Sequence, residues 1–258
     1  MKINERLASV NYIAPTAAIN HIDITFLCQS IVKRNHALFG SEILTKIDNL
    51  YDDTLEQCYT NLSNNQLQII NSETLTKVQL MTVASSSRPF ATPPSRQFVK
   101  VAQATLLDHG LIEEIIQASN TLKANNQQLV IEITARLPNQ YNHLKKKCIA
   151  QHVYLLKDHN IEIALDDYER STYHLEPLIK MNLCDYIKID VQKNGIISSA
   201  RNAANAYNTV YDNMNSLIHE QGVCFIAKQV ETKRHFDIVK NMPFTLFQGL
   251  YISSAEEI

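Results

Sequence analysis

Residues 161–191 read IEIALDDYERSTYHLEPLIKMNLCDYIKIDV, and this stretch decides the fold. Ile161–Asp166 and Tyr186–Val191 are short β-branched and apolar runs of strand length, and Leu175–Met181 between them has helical character. A strand, a helix and a second strand form a βαβ unit, whose two strands pair in parallel. Working outward, further strand candidates are Thr25–Val32, Leu38–Ile47, Gln97–Gln103, Gln128–Thr134, Val223–Val230 and Thr245–Ile252. Helical segments are expected at Thr54–Asn64, Ser72–Ala84, His109–Lys123, Tyr141–Asp158, Ile196–Glu220 and Lys233–Lys240. Eight strands alternating with helices predict an α/β fold, a TIM-type (βα)8 barrel. The first two runs are separated by only about five residues, too few for a crossover helix, so that pair is expected to be an antiparallel hairpin.

The 258 residues carry 24 basic and 26 acidic side chains, 45% apolar residues and only five glycines. That composition is globular, and the length fits a single domain over 1–258, with an N-terminal extension at 1–24 and an irregular Ser/Pro-rich loop at 85–95. A net charge of −2 gives no basic footprint for nucleic acid or an anionic membrane; Lys145-Lys146-Lys147 reads as one solvated helix face. No apolar run is long enough to span a membrane and residues 1–20 lack a signal-peptide core, so a cytoplasmic location is expected. Five scattered cysteines without a CxxC pair argue for reduced, mostly buried thiols rather than zinc or disulfides. The glycine deficit removes GxGxxG and P-loop phosphate cradles. The apolar stripe of Ile196 to Glu220 reads as barrel-facing core.

In a βα barrel, chemistry sits at the C-terminal ends of the strands. The polar residues there are Glu42, Glu132, Asp166, Asp167, Lys188, Lys228 and Gln248. The four carboxylates on neighbouring strand ends are a set that can hold hard divalent cations through oxygen and activate water.

Their order resembles the EAL family, the bacterial cyclic-di-GMP phosphodiesterases. Gln29-Ser30-Ile31-Val32 resembles Q-P-I-V; Gly40-Ser41-Glu42-Ile43-Leu44 resembles G-x-E-A-L; Glu132-Ile133-Thr134-Ala135 resembles E-[IL]-T-E. Ile163 to Tyr168 resembles I-A-L-D-D-F, Asp185 to Asp190 resembles D-Y-I-K-I-D, Ala227 to Thr232 resembles A-E-G-V-E-T, and Gln248-Gly249-Leu250-Tyr251 resembles Q-G-Y-x. The resemblance implies the family's modified barrel with one antiparallel strand, vestigial metal positions at Glu42, Glu132, Asp166 and Asp167, and ligand contacts at Gln29, Glu42, Leu44, Lys46, Asp166, Lys188 and Gln248.

The departures from the family pattern bear on catalysis. The metal-binding asparagine of the family aligns with Ala102, with Thr92 as a rival; the loop-anchoring glutamate is Ala135; the glutamate assigned as base is Lys228. Glu169 and Ser171 replace loop glycines near His174, Gln229 replaces another, and Lys46 replaces a phosphate-contacting arginine, keeping charge without the bidentate fork. These losses predict no catalytic residues, no metal and no cofactor, with Mg2+ or Mn2+ needed only if activity survives. The expected function is that of an inactive regulatory binding module for a protein partner in motility, biofilm or gene regulation. The expected position of Lys228 is among Glu132, Asp166 and Asp167. Alternatives are a metal-independent cyclic-di-GMP receptor and a weak phosphodiesterase recruiting Asp167 or Glu231 as base. A homodimer through the altered loop is a further possibility.

Overall fold

The computed structural model describes residues 23–47, 62–86, 94–134, 142–166, 168, 176–197 and 203–258. Asp167, Ala135, Thr92, Glu169, Ser171, His174, Cys58, residues 1–22 of the extension, most of the expected helix at Thr54–Asn64 and most of the 85–95 loop lie outside them.

Strands β1 (Ile24–Lys33), β2 (Leu38–Ile47), β3 (Arg96–Val101), β4 (Gln128–Thr134), β5 (Glu162–Asp166), β6 (Tyr186–Asp190), β7 (Cys224–Lys228) and β8 (Leu246–Phe247) close into a barrel. From β2 to β8 each strand runs parallel to its neighbours. β1 alone is reversed, pairing antiparallel with both β2 and β8, as the short first connection requires. The helices are α1 (Asn64–Ser86), α2 (His109–Ala124), α3 (His143–Asp158), α4 (Glu176–Lys180), α5 (Ala203–Gln221) and α6 (Lys233–Val239). No helix among the described residues is long and apolar enough to cross a membrane.

Strand side chains alternate between faces, and this period sorts the barrel into two apolar bodies. Outward residues such as Val99, Ile131, Ile163, Ile187 and Phe225 pack against Leu75, Ile112, Ile115, Val153 and Met214 of the helices. Inward, Ile31, Phe98, Val130, Ala164, Tyr186, Ile226 and Leu246 fill the barrel interior as a separate plug. At the N-terminal rim Arg96 binds Glu162 through two bonds of 2.7 and 2.9 Å, and the Tyr186 hydroxyl donates to the same carboxylate at 2.8 Å.

The differences from the sequence reading have local causes. α1 begins eight residues before Ser72, because Ser63 and Gln66 form a capping box: the Ser63 N–H donates to Gln66 Oε1 at 3.0 Å and the Gln66 N–H to Ser63 Oγ at 3.4 Å. Gln103 leaves β3 for a 3-10 turn (Gln103–Leu107). Residues 191–197 are turns, so the strand stops one residue short of Val191 and Ile196-Ile197 are not helical, since Asp190 Oδ1 accepts from the N–H groups of both Gln192 and Lys193 at 2.9 Å. A short β9 (Glu256–Glu257) pairs with β1. All four described cysteines are free, but only Cys184 is buried; Cys28 and Cys148 are half-buried and Cys224 is exposed at the first position of β7.

The expected strand Thr245–Ile252 shortens to Leu246–Phe247 because the chain turns sharply at Gly249, with φ +148°. A Cβ at Gly249 would lie 2.3 Å from the Val230 nitrogen. Gly249→Ala is therefore expected to cost about 3 kcal/mol by chemical denaturation, through backbone strain and a main-chain clash. A loss under about 0.5 kcal/mol would contradict this close approach.

Candidate functional site

The plug carries a polar ring on its C-terminal side, one step of the strand period above it. Each of the eight barrel strands supplies one member: Gln29 on β1, Glu42 on β2, Lys100 on β3, Glu132 on β4, Asp166 on β5, Lys188 on β6, Lys228 on β7, and Gln248 directly after β8. Each of these except Gln29 lies two residues after an inward plug residue or, on β2, after Gly40. On the reversed β1, Gln29 precedes Ile31 by two. The ring thus follows from alternation alone.

Three carboxylates and three lysines meet in it. Lys188, fully buried, donates to Glu42 Oε2 and Glu132 Oε2, each at 2.7 Å. Asp166 is held from both sides, Lys228 binding Oδ1 at 2.6 Å and Lys100 binding Oδ2 at 2.8 Å. Gln248 donates to Glu42 Oε2 and, at 3.1 Å, to Gln29 Oε1, while Gln29 donates to the Ser253 carbonyl at 3.0 Å. Glu132 Oε1 and Gln248 Oε1 are buried and have no hydrogen-bond partner among the described residues.

The electrostatics follow the contacts. Burial opposes ionisation of Asp166, but Lys100, Lys228 and Lys188 outweigh it and hold the carboxyl well below its ordinary range. Burial also opposes charge on Glu42, which Lys188 nevertheless keeps low. Glu132 goes the other way: burial, then the Glu42 charge, push it up to about 8 despite Lys188. For Lys188 burial works against the charge, yet Glu132, Glu42 and Asp166 raise its affinity for the proton.

The structure brings Gln29, Glu42, Glu132, Asp166, Lys188, Lys228 and Gln248 together at the strand ends. Leu44 and Lys46 continue the same face of β2, half-buried and exposed respectively. Lys228 binds Asp166, one of the three carboxylates it is expected among; Glu132 is engaged by Lys188, and Asp167 lies outside the described residues. One placement differs from the sequence reading. The β3 residue at the carboxylates is Lys100, not Ala102, which lies past the strand end at the start of the 3-10 turn. The sequence reading missed Lys100; its one local signal is a lysine two residues beyond Phe98, and its place beside Glu132 is set by the register of β3 with β4. Glu231 lies past β7, with its N–H donating to His235 Nδ1 at 3.3 Å.

Gln229, directly after Lys228, holds φ +63°, the left-handed region that favours glycine. The turn is fixed by its neighbours: the Val230 N–H donates to the Gln248 carbonyl at 3.1 Å and the Gln248 N–H to the Ala227 carbonyl at 2.9 Å. Together they lock the ends of β7 and β8, aiming Lys228 and Gln248 into the ring.

A divalent cation needs carboxylate lone pairs free of ammonium donors. Here both Asp166 oxygens and one oxygen each of Glu42 and Glu132 are occupied by lysine, so among the described residues the donor set as arranged does not fit such an ion.

The EAL domain family matches residues 16–255. The chain belongs to the EAL domain family. Solved EAL structures share its fold at low identity. The EAL enzyme Bd1971, in its cAMP- and cyclic-di-GMP-bound form, superposes with a TM-score of 0.69 at 12% identity, over 90% of this chain and 62% of that one. The FimX EAL domain from Pseudomonas aeruginosa, bound to c-di-GMP, gives 0.65 at 19%, over 90% of each chain. The Bacillus subtilis YkuI protein, in complex with c-di-GMP and calcium, gives 0.69 at 18%, over 92% of this chain and 55% of that one. The chain therefore spans under two thirds of Bd1971 and of YkuI. No curated protein matches the sequence significantly.

Lys188→Met is expected to cost about 3–5 kcal/mol in denaturant unfolding, because two buried carboxylates lose the cation between them. Lys228→Met leaves Asp166 its bond to Lys100 and should cost less than about 2 kcal/mol. Equal losses would contradict the arrangement. Gln229→Gly is expected to be neutral or to stabilise by up to about 1 kcal/mol, since relief of left-handed strain offsets the added chain entropy. A loss of more than about 1 kcal/mol would count against that strain.

Proposed function

We propose that this EAL domain has given up metal-dependent hydrolysis and acts as a regulatory binding module, its partner a protein of motility, biofilm or gene regulation. The observation that supports it is the double engagement of Asp166 by Lys100 and Lys228. Lys228 stands where the family resemblance implies the catalytic base, and Lys100 brings a second positive charge to the same carboxylate. At an effective dielectric near 20, a unit charge about 4 Å from another contributes about 4 kcal/mol, and a divalent ion doubles the repulsion from each lysine. Lysine neutralises the carboxylates in place of a metal ion, leaving no step for which water is activated.

A second reading keeps cyclic-di-GMP as a ligand bound without metal. The unengaged Glu132 Oε1 and Gln248 Oε1 favour it, as does the ordered Gln29–Gln248–Glu42 chain, because buried acceptors without donors are costly unless a ligand or water completes them.

Calorimetric titration with manganese, followed by cyclic-di-GMP binding in EDTA and turnover in manganese, separates the readings. The expected result is no heat of metal binding and no linear dinucleotide. Cyclic-di-GMP affinity weaker than about millimolar would leave the protein-partner reading alone, and micromolar affinity in EDTA would establish the receptor. Manganese-dependent turnover abolished by Glu42→Ala would overturn both.

A further inference from the structure

Between α5 and α6, on the outer flank of the barrel, lies a shallow groove of about 760 Å³ that opens widely to solvent. Tyr207 of α5 forms one wall; Lys233, Arg234, Asp237 and Ile238 of α6, with Asn241 just beyond it, form the other. None of these residues belongs to the ring at the barrel mouth. Tyr207 and Ile238 make the apolar part of the lining, both half-buried and packed on the core around the barrel. Tyr211, one turn after Tyr207, extends it as a ledge: the two rings are stacked, 6.3 Å apart and inclined by 14°, and Tyr211 is 37% exposed.

The polar groups of the groove are unevenly matched. Asp237, its one carboxylate, is taken by Lys240 at 2.6 Å. Lys233 and Arg234 are exposed and make no hydrogen bond or close ion pair among the described residues. Asn241 Nδ2 donates to the Asp237 carbonyl at 3.0 Å, which leaves Oδ1 as an acceptor without a partner among the described residues. Burial, and then Tyr211, raise the proton affinity of the Tyr207 hydroxyl, so that wall stays uncharged. Two unmatched cations therefore stand beside an aromatic ledge.

We infer that this groove binds an acidic peptide segment of a partner protein, its carboxylates on Lys233 and Arg234 and an aromatic side chain on the Tyr207–Tyr211 ledge. The unmatched cations call for negative charge, and the planar fork of Arg234 suits a carboxylate. The stacked phenols offer flat apolar surface that an inorganic anion cannot use. Asn241 Oδ1 accepts from a main-chain N–H, which a peptide supplies. From Lys233 to Asn241 the wall rises about 12 Å at helical pitch, the reach of three or four extended residues. A small ligand buries most of its surface in an enclosed site, whereas an open groove of this length suits a chain held along one side. The inference gives the protein-partner reading a surface but is independent of the ring: metal binding at the barrel mouth would leave it standing.

Fluorescence anisotropy of a labelled peptide, Asp-Glu-Tyr-Glu-Asp with blocked ends, titrated with the full chain in about 50 mM salt tests it. Saturable binding with a Kd of about 10–300 μM is expected. Arg234→Glu and Lys233→Glu should each weaken it roughly tenfold, Tyr211→Ala about threefold, and salt at about 0.5 M several-fold. The double variant Lys146→Glu, Lys147→Glu reverses two charges on α3 and should leave the affinity within about twofold. Circular-dichroism melts confirm that each variant folds, and Lys233→Gln and Arg234→Gln carry the same test with a smaller expected loss of about threefold. No saturation by about 1 mM, unchanged affinity in the groove variants, or an equal loss in the α3 variant would overturn the proposal. Inorganic phosphate competing as well as the unlabelled peptide would also overturn it, because the cations would then be a site for a simple anion.

Discussion

The buried ammonium of Lys188 between Glu42 and Glu132 is the interaction on which the mouth of this barrel depends. Strand alternation forces one side chain per strand toward the axis at the level above the apolar plug, and on β2, β4 and β5 those side chains are acidic. An unpaired buried carboxylate costs several kcal/mol, a large part of the 5–15 kcal/mol by which a domain of ordinary stability stays folded. Such a ring therefore requires cations. Lys188 supplies one to Glu42 and Glu132, and Lys100 and Lys228 supply two to Asp166, so the carboxylates are neutralised from within the chain.

The backbone at the strand ends holds this arrangement in place. Gln229 adopts a left-handed conformation, Gly249 makes room for Val230, and the two segments exchange main-chain hydrogen bonds across the ends of β7 and β8. At the opposite rim the Arg96–Glu162–Tyr186 group closes the barrel interior, with Arg96 also over the Phe39 ring at 4.7 Å. The polar rim below is satisfied and the ring above is nearly so; among the described residues of the ring, one oxygen each of Glu132 and Gln248 is left open.

Much of this was legible in the sequence, because strand period and connection length are local properties. The bounds of β2 and β4 emerge from apolar runs alone, and the five-residue gap before β2 forces the reversal of β1. Glu42, Glu132, Asp166 and Lys188 stand out as charged residues in apolar strands. What stayed hidden depends on register between strands that are distant in sequence. Lys100 joins the ring because β3 aligns it with Glu132, and the division of three lysines among three carboxylates is a matter of three-dimensional reach. The early start of α1 was written in Ser63 and Gln66, but the polar residues around them read equally well as linker.

Anomalous diffraction from crystals grown in millimolar manganese, recorded at the manganese edge, tests the central claim most directly. The account predicts no anomalous peak between Glu42, Glu132 and Asp166, with Lys100 and Lys228 in contact with Asp166. A manganese peak coordinated by those carboxylates, with Lys228 turned away from Asp166, would contradict it.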